Sequence, residues 1–175
     1  MGRISILNKL TARRARSLGE FGESLAESIL VQAKFINVRN LNHSKMNFPF
    51  ADFYAERKNE KYVISVKIRN KYEANTGKLN ARYNLGHRNC YELAAKAEIA
   101  LSAQAAFLAI SLTQDSYSAY FALLVTLNKS LGIPMTNSWL ARYECLVENM
   151  ANNIDVSHLK NTYSLKAAVN SMPEL

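Results

Sequence analysis

Apolar residues recur along this chain at two periods, and the change of period marks the elements. From 17 to 34 the spacing is helical. Leu18, Phe21, Leu25 and Ile29 form a stripe, with Ala26, Leu30 and Ala33 on its flank. Glu20, Glu23 and Glu27 lie on the other side, and Glu23 falls beside Ala26 and Leu30 at the rim of the apolar stripe. Residues 35–40 read as a short strand, and the polar run from Asn42 to Lys45 as a loop.

From 48 to 70 (FPFADFYAERKNEKYVISVKIRN) the period becomes two. Phe50, Asp52, Tyr54 and Glu56 alternate with Ala51, Phe53 and Ala55; Val63, Ser65, Lys67 and Arg69 alternate with Tyr62, Ile64, Val66 and Ile68. A two-residue turn at Lys58-Asn59 gives a hairpin in which paired residue numbers sum to 117. Asp52 then lies opposite Ser65, with Lys67 one diagonal step away. A carboxylate, a hydroxyl and an ammonium converge on one patch of a sheet whose other face is apolar.

Residues 70–89 carry no apolar period and read as a long loop rich in Lys, Arg, Asn and Tyr. An alanine-rich helix is predicted over 89–104. Two buried strands follow over 106–112 and 117–126, then a loop over 128–136. A helix is predicted over 137–149, with Trp139, Tyr143, Leu146 and Val147 as its apolar side. The expected organisation is a core over 17–126, a basic extension over 1–16 and an accessory helical segment over 127–175 packed on the core.

Composition narrows the function. The chain has 175 residues, 49% hydrophobic, with nine Gly plus Pro, so it is neither disordered nor fibrous. No run approaches the ~18 apolar residues of a membrane span, and the two cysteines lack metal-ligand spacing. A cytoplasmic protein without membrane association is the expectation. Net charge is +8, but residues 1–89 hold 17 Lys/Arg against 7 Asp/Glu, while residues 90–175 hold 5 against 7. A one-sided positive surface is the footprint of a polyanion, and DNA is the expected partner. Arg69, Lys71, Lys78, Arg82 and Arg88 are the candidate phosphate contacts, with Tyr83 among the tyrosines able to stack on bases.

The chain has no Gly-x-Ser-x-Gly elbow, P-loop, dinucleotide fingerprint, zinc ribbon or His-Glu-x-x-His motif. What remains is Glu23 on a helix, Asp52 on one strand and Lys67 on the next. Phosphodiester hydrolysis needs such a set: oxygen ligands for a hard divalent cation, and a fixed positive charge near the scissile phosphate.

Residues 22–67 resemble the PD-(D/E)xK nuclease superfamily, which includes restriction endonucleases, junction resolvases and repair nucleases. Gly22-Glu23-Ser24-Leu25-Ala26 is similar to the first-helix motif of many members, Asp52 matches the strand aspartate, and Lys67 matches the motif lysine at the end of Ile64-Ser65-Val66-Lys67. The resemblance implies a restriction endonuclease-like α/β core: a central mixed sheet of four to five strands flanked by helices (α-β-β-β-α-β-β), here with a C-terminal helix. It implies a DNA endonuclease using Mg²⁺ or Mn²⁺, with catalytic residues Glu23, Asp52, Ser65 and Lys67 and metal ligands Asp52 and Glu23; homodimers belong to the same expectation.

Two positions depart from the pattern. Ala51 replaces the motif proline, and Ser65 stands where the second acidic ligand is usual. A hydroxyl is a weaker, neutral ligand. A glutamate from elsewhere would have to serve, with Glu23, Glu73 and Glu92 as candidates and Glu23 the best placed. The alternative is a catalytically inactive nuclease-fold protein that binds nucleic acid or serves in a larger assembly.

Overall fold

Helix α1 (residues 22–32) lies against one face of a six-stranded mixed sheet, as seen in a computed structural model that describes residues 22–44, 48–73, 76–86, 88–113 and 116–151. The basic extension over 1–16, the start of the first helix and the tail beyond 151 lie outside the described residues. The strands are β1 (Ile36–Asn40), β2 (Phe53–Arg57), β3 (Glu60–Asn70), β4 (Arg82–Asn84), β5 (Gln104–Leu112), β6 (Ser116–Leu123), β7 (Gly132–Pro134) and β8 (Glu144–Ala151). The helices after α1 are α2 (Leu41–Ser44), α3 (Cys90–Leu101) and α4 (Asn137–Leu140). In the large sheet the order is β1-β2-β3-β5-β6-β8, and β4 pairs with β7 in a separate ribbon. Among the described strands only β3 and β5 run parallel, because α3 carries the chain across the sheet between them. The α-β-β-β-α-β-β order of the expected core is present.

The hairpin register is the one the alternation predicts. Phe53 pairs with Ile64, Tyr54 with Val63 and Arg57 with Glu60. Lys58 and Asn59 both take positive φ (52° and 66°), the two-residue turn whose twist matches antiparallel strands.

Each sheet face has its own core. On one, Leu25, Ala26, Ile29 and Leu30 of α1 pack on Phe53, Ile64, Ile68, Leu108 and Ile110. On the other, Cys90, Ala94 and Ala97 of α3 pack on Tyr54, Val63, Phe107 and Ala109. The face carrying Ser65 and Lys67 is therefore covered too, and the expected polar surface is restricted to the upper end of β3. At Gly22 a Cβ would sit 2.7 Å from Ile68 Cγ2, so the glycine lets the start of α1 touch the sheet.

The sheet curls around α1. Arg57 Nη1 donates to Glu144 Oε1 at 2.9 Å, and Nη2 donates to Oε2, although β2 and β8 lie four strand spacings apart, about 19 Å on a flat sheet. The guanidinium also lies over the rings of Phe35 (4.1 Å) and Phe121 (5.5 Å).

Three expectations are corrected here. Among the described residues the sheet has six strands rather than four to five. The segment 137–149 is not one helix: a single turn, α4, is followed by β8 on the free edge of β6. Register shifts along β6 let the adjacent Leu146 and Val147 both reach the α1-side core, and with Tyr143 that spacing mimics a helical stripe. The described part of 127–175 thus completes the sheet instead of forming a helical appendage. Finally, 70–89 is not an unpatterned loop. Tyr72 bridges Leu79, and β4 turns Tyr83 inward between exposed Arg82 and Asn84. Among the described residues no helix is long and apolar enough to cross a membrane.

Candidate active site

β2 accompanies β3 only as far as Phe53↔Ile64. One more ladder bond forms, from the Asp52 N–H to the Ile64 carbonyl at 2.9 Å. The incoming chain then turns away, with Ala51 N–H bonded to Pro49 O at 2.8 Å and Phe50 at φ 66°. β3 continues to Asn70, backed on its far side by β5. Among the described residues no strand lies beside the near edge of β3 from Val66 onward.

The Asp52 side chain occupies that edge. Its Oδ2 accepts the Val66 N–H at 2.7 Å, taking the place of the next ladder carbonyl. A strand residue directs its N–H and C=O to the same side, so the Val66 carbonyl faces this edge as well.

Glu23 reaches the same place from α1. Asn40 Nδ2 donates to Glu23 Oε2 at 2.8 Å and Asn42 Nδ2 donates to Oε1 at 3.0 Å. The same Asn42 nitrogen also donates to Asp52 Oδ1, a longer contact at 3.4 Å. One amide thus ties the two carboxylates together. It is held in turn by its own N–H on Asn40 Oδ1 (2.9 Å) and by the Leu41 N–H on the Asp52 carbonyl (2.9 Å). Asn40 and Asn42 escaped the sequence reading. Their spacing, in which an Asn side chain accepts the N–H two residues on, was the available signal.

Burial dominates the electrostatics. It pushes the Asp52 carboxyl above its ordinary range, against the lowering pull of Lys67, the Val66 N–H and Asn42. Burial likewise pushes the Lys67 ammonium below its ordinary range, with Asp52 pulling the other way. Among the described residues no ion pair within 4.0 Å joins the two. The Asp52 charge is offset by Lys67 at a distance and not quenched in contact.

Ser65 is 1% exposed, on the face covered by α3 and paired across to Phe107 of β5. It adds no carboxylate, and the described residues contain no cluster of three acids, histidines or cysteines fit to hold a metal. Glu92 is spent on Lys96 at the exposed surface (2.8 Å) and Glu73 accepts from Thr76, so of the three candidate glutamates only Glu23 joins Asp52.

The basic candidates divide. Arg69, Lys78, Arg82 and Arg88 are exposed and Lys71 is half-buried. Tyr83 is 1% exposed, so it cannot stack on a base; β4 buries its ring in the α3-side core. The stem of Arg82 lies on Gly132, where a Cβ would meet its Cγ at 2.6 Å, so Arg82 has a packing role besides its charge.

No protein-family model matches this chain, nor does any curated protein sequence. Among solved structures it is similar to Hjc, a Holliday junction resolvase from the archaeal hyperthermophile Archaeoglobus fulgidus, with a TM-score of 0.48 and 18% identity over 69% of this chain and 89% of the resolvase.

Proposed function

We propose that this chain is a divalent-cation-dependent endonuclease that hydrolyses phosphodiester bonds in DNA. The observation that carries the reading is the open edge of β3, where Asp52 is fixed to Val66, Glu23 is tied to Asp52 through Asn42, and Lys67 is coupled to Asp52 without touching it.

The donor set fits Mg²⁺ or Mn²⁺. Hard cations take oxygen ligands, and Mg²⁺ is commonly held by only one or two carboxylates together with water and substrate phosphate. Asp52, Glu23 and the Val66 carbonyl would hold the ion, so a carboxylate at position 65 is not required. A buried carboxylate with its proton affinity raised gains most from a cation beside it. When bound, the ion supplies electrophilic charge at the phosphate and acidifies water. The chain's own residues do the rest. Asn42 and the Val66 N–H fix the carboxylate rotamers, the Lys67 ammonium orients the attacking water and stabilises charge growing on the phosphate oxygens, and Ser65 fills the space below Asp52. The excess of 10 positive charges over residues 1–89, with Arg69, Lys78, Arg82 and Arg88 exposed, supports a polyanionic substrate.

The second reading, a nuclease fold that binds DNA without cutting it, is favoured by the neutral, buried Ser65. Incubating supercoiled plasmid with the protein in Mg²⁺, in EDTA, and with Asp52→Asn separates the two. Nicking that needs both the cation and Asp52 is expected. Salt-sensitive binding without nicking would transfer the protein to the second reading.

A further inference from the structure

The segment that follows Asn70 returns on itself. Asn80 N–H donates to Lys71 O and Glu73 N–H to Lys78 O, both at 2.8 Å, and Gly77 takes φ +63° in the turn. Between these bonds Tyr72 and Leu79 form an antiparallel bridge, so their side chains emerge on the same side. The base of the hairpin is secured by the Lys71 N–H on Leu112 O (2.7 Å) and by Asn80 Nδ2 on Asn70 O (3.4 Å). Tyr72 is 50% exposed and Leu79 39% exposed.

Single exposed apolar residues mean little. This pair differs in its neighbours. The Lys71 ammonium stands 5.8 Å from the Tyr72 ring centre, and Lys78 lies next to Leu79 in the chain. The one acid in the sequence of residues 71–80, Glu73, is engaged by Thr76. An aromatic and an aliphatic side chain held together, with the Lys71 ammonium beside the ring, match a polyanion that also offers a flat apolar face. A nucleobase is such a face, but within a continuous duplex both its sides are covered by neighbouring bases. The match requires a base that has left the stack.

We propose that Tyr72 and Leu79 form a stacking platform for an unstacked base, with Lys71 and Lys78 on its phosphates, so that the preferred substrate is DNA with a single-strand–duplex boundary. This rests on the reading of the β3 edge as the site that receives DNA. Tyr72 lies six residues beyond Val66 and two beyond the end of β3, at most about 20 Å away if fully extended. At ~3.4 Å per nucleotide, the unstacked base sits within about six nucleotides of the bond held at Asp52.

The test measures binding in EDTA, by fluorescence anisotropy, to a continuous duplex and to the same duplex with a single-stranded arm. Wild type is expected to prefer the armed duplex and to quench a fluorescent base analogue at the boundary. Tyr72→Ala should lose affinity for the armed DNA by roughly 5- to 150-fold and lose the quenching, while its affinity for the continuous duplex and its melting temperature hold. Tyr72→Phe should behave as wild type. Lys78→Ala should weaken both DNAs alike and reduce the salt slope by about 1. Equal losses on both DNAs in Tyr72→Ala, or no loss, overturn the proposal. So does Tyr72-dependent binding of anionic lipid vesicles without discrimination between the DNAs. A boundary preference in a protein that never cuts would overturn the nuclease reading alone, and Mg²⁺-dependent cutting with no Tyr72 effect would overturn the platform alone.

Discussion

The Oδ2 atom of Asp52 and the backbone N–H of Val66 are 2.7 Å apart, so the side chain of one strand completes the ladder of the next where the strands part. The carboxylate is fixed by backbone rather than by a long, mobile cation. Its second oxygen remains directed toward Asn42 and the open edge.

Asp52→Asn preserves this bond, since an amide oxygen also accepts. Cleavage should vanish. Because burial raises the Asp52 pKa, the neutral form stabilises the fold below the ordinary value of 3.8, and that stability is lost as pH rises through the raised folded value. The neutral variant should therefore melt higher than wild type at pH 7 without added metal, and the difference should close as pH falls below 3.8. A variant that melts lower at neutral pH would contradict the assigned direction.

Lys67→Met keeps the stem and removes the charge. Burial lowers the Lys67 pKa, so the charged form penalises the fold fully below the folded value. The penalty is relieved as pH rises through that lowered value toward 10.5. Wild type should thus gain on Lys67→Met in thermal melts across that alkaline window; taking the difference cancels the buried tyrosines, which act in the opposite sense. Cleavage should be lost with a smaller loss of cation affinity. Parallel melting curves would show that the ammonium is solvated.

Asn42→Ala removes the amide shared by Glu23 and Asp52. A loss of divalent-cation affinity of about 10- to 100-fold is expected, as for other residues that orient ligands without being ligands. Gly22→Ala should act on the same geometry from the helix. Its Cβ meets Ile68, so α1 must move away, costing about 1–3 kcal/mol and drawing Glu23 from the edge. Isothermal titration with Mn²⁺ reads both, and unchanged affinity in both variants would remove Glu23 from the cation site.

Ser65→Glu brings back the acid usual at that position, but into a site that is 1% exposed. Without metal the fold should lose about 3–5 kcal/mol, the scale for a buried charge lacking its partner, whereas Ser65→Ala should be close to neutral. Added Mn²⁺ should recover part of the loss if the new carboxylate reaches the ion. A Ser65→Glu protein as stable as wild type, with unchanged metal affinity, would sink this edge as the catalytic centre.

The hairpin was readable because alternation and a two-residue turn fix register together, and Asp52, Lys67 and the pairing of Phe53 with Ile64 followed from them. Glu23 was readable through its place beside Ala26 and Leu30. What lay hidden depends on distant partners. Asn42 matters because the fold brings residues 23 and 52 to either side of it, which no local pattern encodes. β8 was hidden by the shifts along β6, which let two successive residues face one core. Tyr83 was misjudged because two strands of three residues are too short to announce themselves, although Tyr83 and Leu85 alternate with Arg82 and Asn84 in the expected manner.

The clasp between Arg57 and Glu144 joins residues 87 apart in sequence. Glu23, Asp52, Ser65 and Lys67 all precede Glu144 on the chain, and β5, which backs β3, ends at Leu112. As the polypeptide leaves the ribosome, every part of the acidic edge is present some thirty residues before the strand that closes the curl, roughly 2–6 s at 5–20 residues per second. During that interval Tyr117 and Phe121 lack the cover of β8, so the nascent chain carries its prospective site beside an open, adhesive flank. Synthesis of residues 144–151 ends that exposure: the last described strand covers a sheet whose polar edge is already laid out.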